Sequence, residues 1–471
     1  MDGQNMDFSI LKVRLIRKNP TCSGSELYAG LEKRDMLHHY KGLRALIVGL
    51  MCGVLSTPAF PVEEIVIGAS VAQTGKYSRT GQEQLNGIRM WLEDVNAMGG
   101  LLGKSVHLVH YDDKSRPAMG TEIYEKLITD DKVHLLFGPY SSGITLSASA
   151  IAEKYGVPMI SAGASASKIW SRGYKNVFGL YTPAEEYMNQ ILAFARSKGL
   201  ARIALIYSDT AFPRGVAIGV REKAATLGMD LVFEQEYAKD VLDFEAIIRG
   251  MRDKNPDIII GASYLPDSTA FVRQAKKHGL GARILAFAVG PALPDFGKNL
   301  GVDAEGIMGN SQWEPNLNLP GIKEFVGAYK EKYDRLPGYH AAGGYGAGQV
   351  AEAAIRQSES VEPDKVRDAL LQLEITTIFG NYKVDETGKQ KGKPAYTIQW
   401  IDGKRELILP SETATTEPAY PFRIWSKRLS PNHDYRTFRD DSLLIWETDL
   451  RRKCSTEGVG IKIDCAPSPR R

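Results

Sequence analysis

Cysteine is missing from the middle of this chain. Its four cysteines, Cys22, Cys52, Cys454 and Cys465, all fall near the ends of the 471 residues, with none between Cys52 and Cys454. The central body therefore carries no disulfide and no thiolate metal site, and thiol catalysis is excluded there. Charge of one sign is lacking too. The 59 basic residues face 56 acidic ones, a net charge of +3 spread along the chain, which leaves no basic face for nucleic acid. Histidine is scarce: the body from 62 to 422 holds His107, His110, His134, His278 and His340. Nucleotide motifs are absent as well. Gly99–Ser105, GGLLGKS, is one residue short of a phosphate-binding loop. It also follows a helix and precedes a strand, the reverse of the context that loop requires. No G-x-G-x-x-G follows a strand, and GASAS around Ser165 lacks the second glycine of a nucleophile elbow. No cofactor and no metal are expected.

Long apolar runs are also wanting. Ala45–Leu55 is an apolar run of eleven residues, too short for a span that needs about 20. Lys41 and Arg44 precede it and Thr57-Pro58-Ala59 follows, the order of a secretory signal. We expect residues 36–61 to be a signal peptide beginning near Met36, and 1–35 to be a non-native or disordered extension. The product is then periplasmic, with a lipid anchor at Cys52 as the less favoured alternative. From about 423 to 471 no sustained period survives, and the tail reads as irregular.

What is present is a regular alternation of strand and helix patterns from Val62 onward. Buried-strand runs at 64–70, 105–113, 133–137 and 157–163 alternate with helix patterns at 81–98, 119–131 and from about Gly143 to Tyr155. After Thr182 the same unit restarts, with helices at 184–198, 213–227, 243–253 and 267–278 and strands between them. Helices at 320–333, 341–357 and 362–373 follow, then a hairpin-like pair, GNYKVDETGK and AYTIQWIDGKRELILP. Two repeats imply an α/β protein with two doubly wound parallel-sheet lobes.

Loops at the carboxyl ends of parallel strands are where such sheets bind ligands. Here they carry hydroxyls, small residues and aromatics: Tyr77, Tyr140-Ser141-Ser142, Ser161–Ser165 and Tyr181 in the first half. Asp209–Phe212 and Ser263-Tyr264 are their counterparts in the second half. Hydroxyls and helix N-terminal N–H groups suit a carboxylate, and rings suit an apolar remainder. Asp112-Asp113 ends a strand, but neighbours on a strand point to opposite faces, so loop capping is the expected role.

In order, GASVAQTGKYSRTGQEQLNGIRMWLEDVNAMGGLLGKSVHLVHYDD, LLFGPYSSG, PMISAGAS, IALIYSDTAFPRG, PDIIIGASYLPDSTAFVRQAKKHGL and EGIMGNSQWEP resemble the periplasmic binding proteins of branched-chain amino acid ABC transporters. The resemblance implies the type I periplasmic-binding-protein fold, with lobes at 62–182 plus 313–378 and 183–312 plus 379–422, joined by a three-strand hinge. It implies a non-enzymatic, monomeric solute-binding protein that closes on a small-molecule ligand and docks with a membrane permease. By the same resemblance Ser142, Gly163, Ala164 and Ser165, with Tyr140 and Ser141 beside them, hold a carboxylate. Tyr77, Phe212, Tyr264 and Trp313 wall the pocket.

One position departs from that pattern. Leucine-type receptors carry a glutamate for the α-ammonium group in the loop that here reads Ala288-Val289-Gly290-Pro291-Ala292. Either Asp209 or Asp267 substitutes, or the ligand is a carboxylate or amide without the amine. Rival readings are a cleft hydrolase with His340 or Asp209 as base, and a sensor domain built on the same lobes.

Overall fold

The structure, a computed structural model, describes residues 64–422. The expected extension at 1–35, signal at 36–61, anchor at Cys52 and tail at 423–471 lie outside the described residues.

The first lobe is wound around five parallel strands: β1 (Ile65–Val71), β2 (Val106–Asp112), β3 (Leu135–Phe137), β4 (Met159–Ser161) and β5 (Val177–Gly179), in the order β2-β1-β3-β4-β5. Its first three helices are α1 (Ser78–Ala97), α2 (Pro117–Thr129) and α3 (Ser142–Tyr155). Strands β3, β4 and β5 are buried throughout, β5 even though it is an edge strand, while the opposite edge strand β2 is half exposed. Strands covered on both faces read as unbroken apolar runs, which is why they are legible in the sequence.

The second lobe repeats the plan. Strands β6 (Arg202–Ser208), β7 (Asp230–Tyr237), β8 (Ile258–Ala262), β9 (Ile284–Phe287) and β10 (Met308–Ser311) pair in parallel, in the order β10-β9-β8-β6-β7. Around them lie α4 (Asn189–Ser197), α5 (Ala211–Leu227), α6 (Glu245–Arg252), α7 (Leu265–Lys277) and α8 (Pro294–Leu300). Ile203, Leu205, Ile258 and Ile260 form one core with Leu192, Val216 and Val220 from the helices above. Each such side chain contributes about 1.5–3 kcal/mol by leaving water.

The chain then returns to the first lobe for α9 (Ile322–Tyr333), α10 (Tyr339–Ser358) and α11 (Pro363–Gln372). Helix α10 lies directly on α1. A Cβ on Gly87 would come within 1.9 Å of the Ala341 carbonyl oxygen, and one on Gly344 within 2.2 Å of that of Gln84. Only glycine lets the two backbones touch, and the contact fixes where α10 begins.

Three expectations are corrected here. The closing segments do not pair with each other. Instead β11 (Ile375–Thr377) pairs with β12 (Gly380–Tyr382), while β13 (Tyr396–Ile401) adds antiparallel to β10 and β14 (Lys404–Leu409) adds antiparallel to β13. The second sheet is therefore mixed, with an antiparallel edge. The helix expected over 184–198 is broken into a short 3-10 turn, Ala184–Glu186, and α4. There the Glu185 carboxylate accepts from Ser167 N at 3.2 Å and from Ser167 Oγ at 2.6 Å, tying the turn to the first lobe. Finally, the segment after 379 does not leave at once. Gly179 N donates to Gly388 O at 2.7 Å and Gln390 Nε2 to Leu180 O at 3.2 Å, so the last crossing comes near Pro394.

The three crossings meet at one polar node. Thr182 N donates to Gln312 Oε1 at 3.0 Å, and Thr182 Oγ1 donates to Pro394 O at 3.2 Å. Lys393 Nζ donates to Phe379 O at 2.9 Å and to the Gln312 carbonyl, and burial holds its ammonium far below the ordinary lysine range.

Candidate functional site

A cavity opens where the carboxyl ends of the two sheets face each other. Its lining follows strand ends in turn: Tyr140 and Ser142 after β3, Gly163 and Ser165 after β4, Tyr181 after β5, Phe212 after β6, Tyr264 after β8 and Val289 after β9. Tyr187 joins from the connection between lobes, and Tyr339 and His340 from the first turn of α10. The gap measures about 300 Å³ counted to its mouth, of which about 20 Å³ is free to a water-sized group. That is room for about one water.

The polar side of the cavity is built by two loops in contact. The Ser142 hydroxyl accepts from Ser165 N at 3.2 Å and Ala166 N at 3.3 Å. Its own proton remains to be donated. A Cβ at Gly163 would stand 2.8 Å from Tyr140 Cα, so glycine is what permits the loops to meet. Ser161 Oγ braces the turn through Ala164 O at 3.0 Å, and Ser165 Oγ lies 3.3 Å from the Tyr187 hydroxyl. Ser142 is also the first residue of α3, where unpaired N–H groups and the positive end of the helix dipole favour an anion.

The remaining wall is aromatic. Phe212 packs on Tyr187 with centroids 5.1 Å apart and on Tyr264 at 5.7 Å. Tyr140 meets the His340 ring at 5.0 Å, and Tyr339 meets it at 3.9 Å. Burial pushes the phenols of Tyr140, Tyr181, Tyr187, Tyr264 and Tyr339 above their ordinary range, so they stay neutral donors. Burial, and secondarily the Arg79 guanidinium, pulls His340 down to about 3, leaving a neutral imidazole.

Of the residues anticipated from sequence, Tyr140, Ser142, Gly163, Ser165, Phe212 and Tyr264 lie on the cavity wall. Tyr77 stands just behind it, 5.3 Å from Tyr140 and 5.5 Å from Tyr264 between ring centroids. Five others are elsewhere. Ser141 is spent on the start of α3, where its carbonyl accepts from Ile144 N and Thr145 N. Ala164 packs into a small core with Ile169, Trp170 and Val177. Trp313 is buried against Phe325 and donates to Ile378 O at 2.8 Å, so it supports the first lobe and does not face the cavity. Asp209 accepts from Lys239 N at 2.9 Å in an exposed loop.

Asp267 is buried off the wall, where it accepts from the Tyr237 hydroxyl at 2.7 Å, and desolvation raises it to about 6. Asp112 and Asp113 staple their loops, Asp112 through Thr74 Oγ1 at 2.6 Å and Asp113 through Ser115 N at 2.8 Å. The wall residues not anticipated as ligand contacts are Tyr181, Tyr187, Val289, Tyr339 and His340. Tyr181 and Val289 obey the strand-end rule. The other three reach the cavity only through tertiary packing.

Two doubly wound lobes facing one cleft, with hydroxyl anchors on the strand-end loops, are the architecture that known proteins can be compared with. The family described as periplasmic binding protein matches residues 64–405. The chain belongs to that family. It is 27% identical over 398 residues to the Leu/Ile/Val-binding protein homolog 7 of Brucella abortus (strain 2308), covering 80% of this chain and 99% of the relative. Among solved structures, the Streptococcus pneumoniae protein described as a branched-chain amino acid transporter substrate binding protein in complex with isoleucine aligns with TM-score 0.67 and 24% identity. It covers 76% of this chain and 100% of that one. An R. palustris solute binding protein in complex with benzoate aligns with TM-score 0.65 and 20% identity, over 73% of this chain and 95% of that one. At these identities the structural likeness speaks for the fold alone. This member of the family has no described helix long and apolar enough to cross a membrane.

Proposed function

We propose that this chain is the exported substrate-binding component of an ABC importer, and that it closes on a small carboxylate lacking an α-ammonium group. The observation that carries the reading is the composition of the cavity wall. Ser142, Ser165 and the N-terminus of α3 offer donors to an anion, rings and Val289 surround the rest, and no lining side chain is a carboxylate. A buried ammonium without a counter-charge costs several kcal/mol, and neither Asp209 nor Asp267 lines the cavity. Of the two ligand classes open at the level of sequence, the non-amino carboxylate is therefore favoured over the branched-chain amino acid.

Ser142, Gly163 and Ser165 anchor the carboxylate and no bond is made or broken. With about 20 Å³ free, the ligand enters by separation of the lobes about the Thr182–Gln312–Lys393 node and is enclosed when they close. A membrane permease receives it. Titration calorimetry with benzoate, leucine and isoleucine tests the reading, with benzoate expected to bind and the two amino acids to bind at least about tenfold more weakly. Preferential binding of leucine, or turnover of the bound acid seen by mass spectrometry, would overturn it.

A further inference from the structure

Among the described cavity-wall residues, His340 is the one whose side-chain polar atoms are fully buried and without a hydrogen-bond partner. It is 1% exposed, and neither ring nitrogen has a hydrogen-bond partner. Buried polar groups are almost always paired, because an unmade hydrogen bond leaves the cost of taking the group out of water uncompensated. The surroundings hold the ring without satisfying it. Tyr140 and Tyr339 pack on its faces and edges, and Glu83 Oε2 stands 3.9 Å from Nδ1, outside bonding distance and itself without a hydrogen-bond partner. Glu83 is already matched from its other oxygen by Arg335 at 3.5 Å and Arg79 at 3.9 Å. It therefore offers no vacant counter-charge to an ammonium group.

We propose that His340 is a specificity-determining residue that reads a hydroxyl group on the ligand. This rests on the carboxylate reading above and adds to it a second polar contact, made by a different element of the first lobe. The Ser142–Ser165 loops hold the carboxylate, while α10, fixed by its backbone contact with α1, presents an imidazole at the same cavity. A neutral imidazole has one donor and one acceptor nitrogen, and whether the nitrogen facing the ligand donates or accepts depends on the tautomer. A hydroxyl both donates and accepts, so it satisfies either tautomer. A second carboxylate could only accept, and a plain hydrocarbon would leave the ring unpaired. The ligand class is thus a hydroxylated carboxylic acid, with an apolar or aromatic frame between its two polar groups.

Calorimetry on the intact mature protein with benzoate and the three monohydroxybenzoates tests this. At least one hydroxybenzoate is expected to bind about tenfold more tightly than benzoate, the worth of one buried hydrogen bond. His340→Leu is expected to erase that ratio, and His340→Gln, which keeps a donor and an acceptor, to restore part of it. Benzoate binding equal to or tighter than all three hydroxybenzoates on the unaltered protein overturns the inference whether or not the variants fold. So does a ratio that survives His340→Leu. Either result leaves the carboxylate reading intact, whereas failure of all four acids with binding of leucine would remove both.

Discussion

The two walls of the cleft come from lobes of the same plan yet carry different chemistry. The first lobe supplies Ser142, Gly163, Ser165 and His340, where backbone N–H groups, hydroxyls and an imidazole converge beside the rings of Tyr140, Tyr181 and Tyr339. The second supplies Phe212, Tyr264 and Val289, a surface of rings and a branched alkyl group. Equivalent lobes thus give one wall a set of serine hydroxyls and an imidazole that the other wall lacks. A repeated fold sets where a site lies, and the side chains at a handful of loop positions set what each half can do.

The largest effect should come from stripping the polar wall. Ser142→Ala combined with Ser165→Ala is expected to weaken a carboxylate ligand by roughly 2–6 kcal/mol, at about 1–3 per charge-assisted hydrogen bond. Calorimetry showing an unchanged affinity would mean that the anion is held elsewhere.

The apolar wall can be challenged in the other direction. Val289→Glu places a carboxylate where the cavity has none, and is expected to shift the leucine-to-benzoate preference toward leucine by about 1–3 kcal/mol. A preference that does not move would detach this loop from ligand choice.

Behind that wall, Asp267 makes a prediction about stability. Its folded value of about 6, against an ordinary 3.8, means that the native state binds its proton more tightly than the unfolded chain. Stability contributed by the protonated form is therefore present below about pH 4 and lost as pH rises to about 6. The loss amounts to about 1–3 kcal/mol. Urea unfolding at pH 4.5 and pH 7 should show a smaller decline in Asp267→Asn than in the unaltered protein, and equal declines would refute the assignment.

The smallest effect concerns a pair that ties the walls together. The Arg79 guanidinium contacts Asp295 across the cleft, with Arg79 half exposed. Asp295→Asn should change ligand affinity by no more than about 1 kcal/mol, the usual worth of an exposed ion pair. A larger change would make the pair a latch.

The contrast between the walls was partly legible beforehand, and for a definite reason. Strand-end position is a one-dimensional property, so Ser142, Gly163, Ser165, Phe212 and Tyr264 could be located by counting along an alternating pattern. Trp313 also stands at a strand end, yet its side chain turns into the first-lobe core toward Phe325. Counting gives the position of a residue but not the face it presents. Tyr187 and Tyr339 were hidden because their segments, a broken turn and a helix start, reach the cavity only when the lobes pack. The swap of pairing partners between β11–β12 and β13–β14 escaped for a similar reason. All four are short patterns of like propensity, and partner choice among such strands is set by tertiary packing.

The amino-acid sequence by itself determined the α/β alternation, the two-lobe repeat, the hydroxyl loops and the missing acid near Val289. The first three are written in local composition and periodicity, and the fourth is a departure from the pattern of the family that the sequence resembles. Only the tertiary structure decided that Asp209 and Asp267 stay off the cavity wall and that His340 lines it with both nitrogens unpaired. Burial and hydrogen-bond partners belong to pairs of residues far apart in the chain, His340 and Tyr140 among them, and they exist only once α10 lies against α1.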